Sequence, residues 1–329
     1  MNYDKFFLCM SFLLTVSCSF KESMVDKNYD WRDNIIDVSK NIEEVIITDV
    51  MIGRMSTINV VGPYVLIVDY KSFDNLFHLF EKKTYSYVCS FGQKGQGPDE
   101  VVNLGHVAVS YYPNEIYIND HGKQLIAKYN LDSVVSLNNY SPQIISKTEK
   151  MRFLNQYSCY NDSMSIGVLI KPTGVSGYNQ SLAAWNVKSS DITEKDINLP
   201  NVEKERFSVC QSYPNNRYVL SYNLNDLLVF CNFDDELVAC VKGVDWSENI
   251  TKRYYYSQSL ICKNNLFALL SDENGISSRF VIFDLNGNYK CTLETKHNIN
   301  TFCFDEDNSK LLMCLDDSIQ FAALDILNY

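Results

Sequence analysis

Long helical stretches are missing from this chain: nowhere in its 329 residues do Ala, Leu, Glu and Lys recur at helical period over any length. That absence argues against a mainly helical fold. Basic clusters are missing too, the largest being pairs such as Lys82-Lys83 and Lys252-Arg253. With a formal net charge of −11, the chain has no cationic stripe able to release phosphate counterions, so nucleic acid is excluded as an expected partner. Gly (13) and Pro (7) are few, whereas Tyr (22) and Phe (18) are many. An aromatic share of that kind favours strands. At this length the chain must either divide or build its core in repeated sectors, because single cores stop growing at roughly 250–300 residues.

Apolar runs long enough to span a bilayer are also absent, but a short one lies at the start. Phe6 to Val16 has the length of a signal-peptide core and is too short for a transmembrane helix. It ends in Leu14-Thr15-Val16-Ser17-Cys18, small residues before a Cys, a pattern that resembles a lipobox. The expectation is a signal peptide over 1–17, lipid attachment at Cys18, a polar tether over 18–34 and a folded domain over 35–329. A single acyl chain holds a protein only marginally, so a multiply acylated anchor is implied. Ser19 is not the Asp that retains lipoproteins at the inner membrane, and the expected location is the outer membrane, with the leaflet open.

With Cys9 in the signal and Cys18 acylated, nine cysteines remain, without a CxxC spacing and mostly inside apolar runs. They read as small buried hydrophobes. Cys231 and Cys240 flank one hairpin turn, but aligning that hairpin with the others sets them out of register, so no disulfide is expected there.

One unit recurs along the chain. Its first half is a strand ending in a small acidic or amide residue. Copies run Tyr64 to Asp69, Glu115 to Asp120, Tyr218 to Asn223, Leu266 to Asp272 and Leu311 to Asp316. Its second half is a hairpin, clearest from Phe280 to Tyr289, where Asn286-Gly287 between alternating runs signals a type I′ turn. Further hairpins are expected from Leu76 to Lys83, Ile126 to Val134, Leu182 to Ser190, Leu228 to Leu237 and Ile319 to Leu327. The residues before the turns are Phe80, Tyr129, Trp185, Phe230, Phe283 and Ala323, at steps of about 49, 56, 45, 53 and 40. Six such units of four strands make an all-β, six-bladed β-propeller, in which each blade buries its faces only against its two neighbours. The last copy ends near Tyr329, so the N-terminal strand, placed at Val45 to Ile52, is expected to close the ring as the outer strand of the last blade. Lys171 to Gln180 reads as a long Gly-containing loop insertion.

The segment from Phe91-Gly92-Gln93-Lys94-Gly95-Gln96-Gly97-Pro98-Asp99-Glu100 through His106-Val107-Ala108-Val109 and Ile116-Tyr117-Ile118-Asn119-Asp120 to Leu125-Ile126-Ala127-Lys128-Tyr129 resembles an NHL-type propeller repeat over about one blade. Joined to the lipobox, it looks like the 6-bladed β-propeller lipoproteins of diderm bacteria, a group related to NHL and TolB-like propellers. The Gly-rich turn offers either an anion nest of backbone N–H groups or the dihedrals for crossing between blades. No Lys-Ser/Thr pair follows it as a phosphate loop requires, which favours the crossing.

Catalytic constellations are not found. The four His (His78, His106, His121, His297) include no HxxxH or HxH, so no metal site and no cofactor is expected. No GxSxG elbow occurs. The strand-end residues Asp69, Asp120, Asn223, Asp272 and Asp316 recur at one position of the repeat, where convergence on a hard cation is one reading; the simpler reading is that each bonds its own turn. Binding residues stay unassigned beyond weak candidates: Arg54, Tyr64, His106, Asp120, Tyr222 and Trp246. The expected function is an envelope-anchored binding or scaffold module for a peptide, glycan or protein partner. The alternative is an envelope lyase or hydrolase using cation-assisted residues in the central channel, which is what the resemblance to metal-dependent lyases and lactonases of propeller fold implies.

Overall fold

In a computed structural model of the chain, residues 25–29, 32–112, 114–147, 153–159, 165–174, 177–186, 189–197, 199–249 and 254–329 are described. The signal peptide, Cys18 and the Lys252-Arg253 pair lie outside them. Six antiparallel sheets follow one another along the chain. Blade one comprises Ser56–Val61, Tyr64–Asp69, Asn75–Glu81 and Tyr87–Gln93; blade two comprises Leu104–Val109, Glu115–Asp120, Leu125–Asn130 and Gln143–Lys147. Blade three contains Phe153–Asn155, Ser165–Pro172, Tyr178–Trp185 and Ile192–Glu194; blade four contains Phe207–Ser212, Arg217–Tyr222, Leu227–Cys231 and Leu237–Lys242. Blade five is built of Tyr256–Cys262, Asn265–Ser271, Ser277–Asp284 and Tyr289–Glu294. Blade six has Ile299–Asp305, Lys310–Leu315 and Phe321–Asp325, and takes Ile42–Glu44 as its fourth strand. The protein is a six-bladed β-propeller.

The core explains why the central strands are apolar on both sides. Six hydrophobic clusters exist, and each fills one junction between neighbouring blades. In Tyr64–Asp69, Val65 and Ile67 pack toward blade six while Leu66 and Val68 pack toward blade two. A strand buried on both faces reads as a nearly continuous hydrophobic run, so the alternation is between neighbours and not between core and solvent. All six residues chosen as hairpin anchors fall in third strands and are buried.

Ring closure differs from expectation in position. The closing strand is Ile42–Glu44, paired antiparallel to Phe321–Asp325, and Val45 only continues it with one hydrogen bond to Phe321. Lys82, itself buried, adds a clamp from blade one to Asp305 (3.3 Å) and Asp307 (2.5 Å) of blade six. Part of the segment expected as a tether is also structured. Val25–Asn28 pairs in parallel with the outer strand of blade four, and Ile35–Asp37 does the same on blade five. Two blades are therefore five-stranded, and residues 25–29 and 32–44 form a strap across the rims of blades four, five and six. Between its strands Arg32 inserts inward, its Nη2 2.8 Å from Asp226 Oδ1, with both side chains nearly inaccessible. Parallel pairing suits this strap because it satisfies rim backbone groups that would otherwise be an exposed sheet edge.

Three connections depart from the repeat. The Asn286-Gly287 turn is not type I′: only Gly287 has positive φ, and Gly287 N–H donates to Asp284 O while Asp284 Oδ1 accepts from the N–H groups of Asn286 and Asn288. This is a type I turn closed by a left-handed Gly, in which a side-chain acceptor at the first position governs. In blade two, the expected hairpin turn is replaced by a short helix, Leu131–Ser136, because Asn130 caps it by accepting from Ser133 N–H. In blade three, Lys171 to Gln180 is not a long loop. Lys171 and Pro172 pair with Asn179 and Tyr178, leaving a tight connection in which Thr173 N–H donates to Gly177 O.

Candidate functional site

The first strand of each blade runs antiparallel to the second, so the start of the first lies beside the end of the second: Ser56 opposite Asp69, Leu104 opposite Asp120, Phe207 opposite Tyr222. The loops between blades and the loops from second to third strands therefore share one face of the disc, called here the loop face. The strand-end residues gather on it, but each is engaged within its own turn or with a neighbouring blade. Asp69 accepts from Gly53 and Lys71 N–H, Asp120 from Val102, Asn103, Gly122 and Lys123 N–H, and Asp272 from Asn274 and Ile276 N–H. Asn223 Nδ2 donates to Tyr256 O, and Asp316 pairs with Arg54 at 3.0 Å. Carboxylates whose lone pairs already hold backbone amides are turn-formers. Among the described residues no group of three or more His, Cys, Asp or Glu is placed to hold a metal ion.

Polar groups of the innermost strands serve as ties between blades. His106 Nε2 donates to Tyr157 O (2.9 Å), linking blade two to blade three, and its ring lies 5.0 Å from the Tyr157 ring. Burial pulls the imidazole down to about 4, against a smaller opposing effect of that hydrogen bond, so it is neutral at pH 7. Gln156 Oε1 accepts from Val209 N–H across the next junction. Gln258 both accepts from Phe302 N–H and donates to Phe302 O across the junction of blades five and six. Ser221 and Ser259 hydroxyls pair at 2.6 Å between blades four and five.

The sequence-chosen candidates are not brought together. Arg54 is exposed on the loop face beside Asp316, while Tyr64 starts a second strand at the opposite face and donates to Asp132. Asp120 and Tyr222 are buried in the framework, where burial raises the Tyr222 hydroxyl above its ordinary range. Trp246 lies in the loop after blade four, with the Lys242 ammonium 5.5 Å from its ring centre. The Gly-rich turn is filled by its own chain: Glu100 Oε2 accepts from Gly97 N–H (2.6 Å), and Lys123 Nζ donates to the carbonyls of Gly97, Pro98 and Glu100. A Cβ on Gly95 would fall 2.1 Å from that carboxylate. The turn is thus closed to an external anion by Glu100.

Two clefts of similar size open on the loop face among the described residues. One, of about 330 Å³, lies between blades one and two and includes Met55, Tyr70, Lys71, Lys94 and Asn103. The other, of about 310 Å³, is bounded by Tyr178, Lys204, Arg206, Asn223, Leu224 and Tyr254, with Gly177. Both have cations and tyrosines and no carboxylate among their lining residues. In the second, the Arg206 guanidinium lies 4.0 Å from the Tyr178 ring centre and donates to Tyr178 O and Glu205 O. Sequence reasoning passed over Tyr178, Lys204, Arg206 and Tyr254 because they belong to loops and strand ends without a motif; only the hairpin pairing of blade three brings Tyr178 to the cleft.

No curated protein matches the chain in sequence. Solved structures do. A protein of Bacteroides fragilis described as exported shares 13% identity at a TM-score of 0.56, covering 92% of this chain and 99% of its own. A luciferin-regenerating enzyme follows at 12% identity and TM-score 0.52, over 87% and 95%. Regucalcin of Agrobacterium tumefaciens, described as calcium-binding, has 12% identity and TM-score 0.50, over 92% and 95%. Identities so low establish a common fold and no more. The family-level match agrees with the blade count: over residues 33–281 the chain belongs to the 6-bladed beta-propeller family DUF5128.

Proposed function

We propose that this protein is a non-catalytic binding module of the bacterial cell envelope, anchored through Cys18 in the outer membrane, that engages a peptide, glycan or protein partner with the loop face of its disc. One contrast carries the reading. His106, Gln156, Gln258 and Asp120 are engaged in ties and turns of the framework, whereas among the described residues Lys71, Lys94 and Lys204 on the loop face have no carboxylate partner. Unpaired cations beside tyrosines, in a chain of net charge −11, favour ligand recognition over framework. The envelope assignment rests on the Phe6–Cys18 pattern and on the likeness to a protein described as exported. No helix among the described residues is long and apolar enough to cross a membrane.

The test pairs binding with turnover. The mature chain is applied to glycan and peptide arrays and, with calcium or manganese, to panels of lactone, ester and polysaccharide-lyase substrates. Saturable binding without turnover supports the module. Cation-dependent turnover would replace it with the lyase or hydrolase alternative, for which the enzyme and the calcium-binding protein of like fold give precedent.

A further inference from the structure

The cleft between Tyr178 and Tyr254 has a chemistry that narrows the ligand, given the binding reading above. Lys204 and Arg206, two residues apart in the bend that enters blade four, both line the cleft. Arg206 is fixed in place by its stack on Tyr178 and by its two carbonyl acceptors, which leaves its remaining N–H groups preorganised toward an acceptor in the cleft. Among the described residues Lys204 has no carboxylate partner and no carboxylate lines the cleft. Glu205, the residue between them, instead acts on the buried Tyr222 hydroxyl.

Two further features point beyond a bare anion. Tyr178 and Tyr254 are 41% and 62% exposed, presenting flat apolar faces beside the charges. Asn223 is held by donation from Nδ2 to Tyr256 O, which turns its Oδ1 into a fixed acceptor without a donor. A rigid ligand with a carboxylate, apolar ring faces and hydroxyl donors satisfies all of these groups together. A flexible acidic peptide satisfies the cations and, through a backbone N–H, Asn223 Oδ1, but presents no rigid apolar ring face to the tyrosines. The volume, about 310 Å³, is at the lower end of small-molecule sites, suited to one end or one segment of a chain. We infer that this cleft is a subsite for a carboxylated saccharide, a uronic-acid residue of an acidic glycan, with its carboxylate on Arg206 and Lys204 and its ring against Tyr254.

The experiment is titration calorimetry of the mature chain with oligogalacturonate, a neutral galactose oligomer and oligoglutamate, in 50 mM and 500 mM salt. The expected result is oligogalacturonate binding that weakens at least tenfold in Arg206→Gln and severalfold in Lys204→Gln. Tyr254→Phe should retain affinity and Tyr254→Ala lose it, because stacking needs the ring and not the hydroxyl. Binding should also fall at high salt, and Lys83→Gln, on the opposite face, should behave as wild type. Equal affinity in the Arg206 and Lys204 variants, or no oligogalacturonate binding, overturns the subsite. Oligoglutamate or neutral-oligomer binding that these variants abolish also overturns the ligand class, but leaves the binding module standing. Catalysed cleavage of any oligomer overturns the module itself.

Discussion

Arg32 is expected to hold the N-terminal strap to the disc, and its removal is the sharpest structural test. Its guanidinium reaches from residues outside the repeats to Asp226 in blade four, 194 positions away, at 2.8 Å, with the two side chains only 9% and 3% exposed. Tyr256 of blade five donates its hydroxyl to the same carboxylate oxygen at 2.7 Å. Gly243 packs so closely that a Cβ there would lie 2.1 Å from both Arg32 and Asp226. In Arg32→Met the carboxylate of Asp226 stays buried without its cation, which costs about 3–5 kcal/mol. At roughly 2–4 °C per kcal/mol, the scale for large domains, the unfolding midpoint should fall by about 6–20 °C. Guanidinium and thermal unfolding followed by circular dichroism read the loss. Arg32→Met with Asp226→Asn should recover much of it, since the penalty arises from the unpaired charge and not from the missing bridge. A loss below about 1 kcal/mol, or a double variant as damaged as the single one, would refute the argument that a buried ion pair fastens the strap.

The remaining predictions concern separate parts of the molecule. His106 has a folded-state pKa of about 4, below its ordinary 6.5, so its contribution to stability is complete above pH 6.5 and is lost as the pH falls toward 4. At about 1.4 kcal/mol per unit that is about 3 kcal/mol, and urea unfolding at pH 7.5 and 4.5 should show a smaller acid loss in His106→Gln, which keeps a donor for Tyr157 O. Glu100→Ala removes the acceptor of Gly97 N–H, and hydrogen exchange should speed up across Gly95–Val101 while the blade cores stay protected. Gly287→Ala puts a Cβ at φ 76° and 2.8 Å from Val241, and should destabilise by about 1–3 kcal/mol in chemical denaturation. Cys18→Ala should abolish incorporation of a palmitate analogue and release the protein from the membrane fraction.

Much of the framework was legible in the sequence because each blade repeats the same physical demand. A second strand buried on both faces must be apolar along its length, and a third strand needs a buried apolar residue in the junction; Tyr64–Asp69, Glu115–Asp120 and the anchors, aromatic in five blades and Ala323 in the sixth, follow from those needs. The strap was not legible. Val25-Asp26-Lys27-Asn28 is polar because it pairs through backbone groups on a rim, and nothing local in the sequence ties Arg32 to Asp226. The Leu131–Ser136 helix was hidden behind an Asn that serves equally in a turn or at a helix cap. The loop-face clefts were hidden for a further reason: their residues come from loops and strand ends of neighbouring blades, and only the ring makes them neighbours. The sequence-chosen candidates favoured residues at strand positions, which is where the framework consumes polar groups in ties such as His106 to Tyr157.

The claim on which the functional account turns is that ligands meet the loop face while the channel is framework. A crystal structure of the protein isolated from its own envelope, without chelators and with its co-purifying ligand retained, tests it most directly. Ligand density against Tyr178, Arg206 and Tyr254, with only water in the channel, is the predicted result. A cation or substrate coordinated by side chains of the six first strands would contradict it.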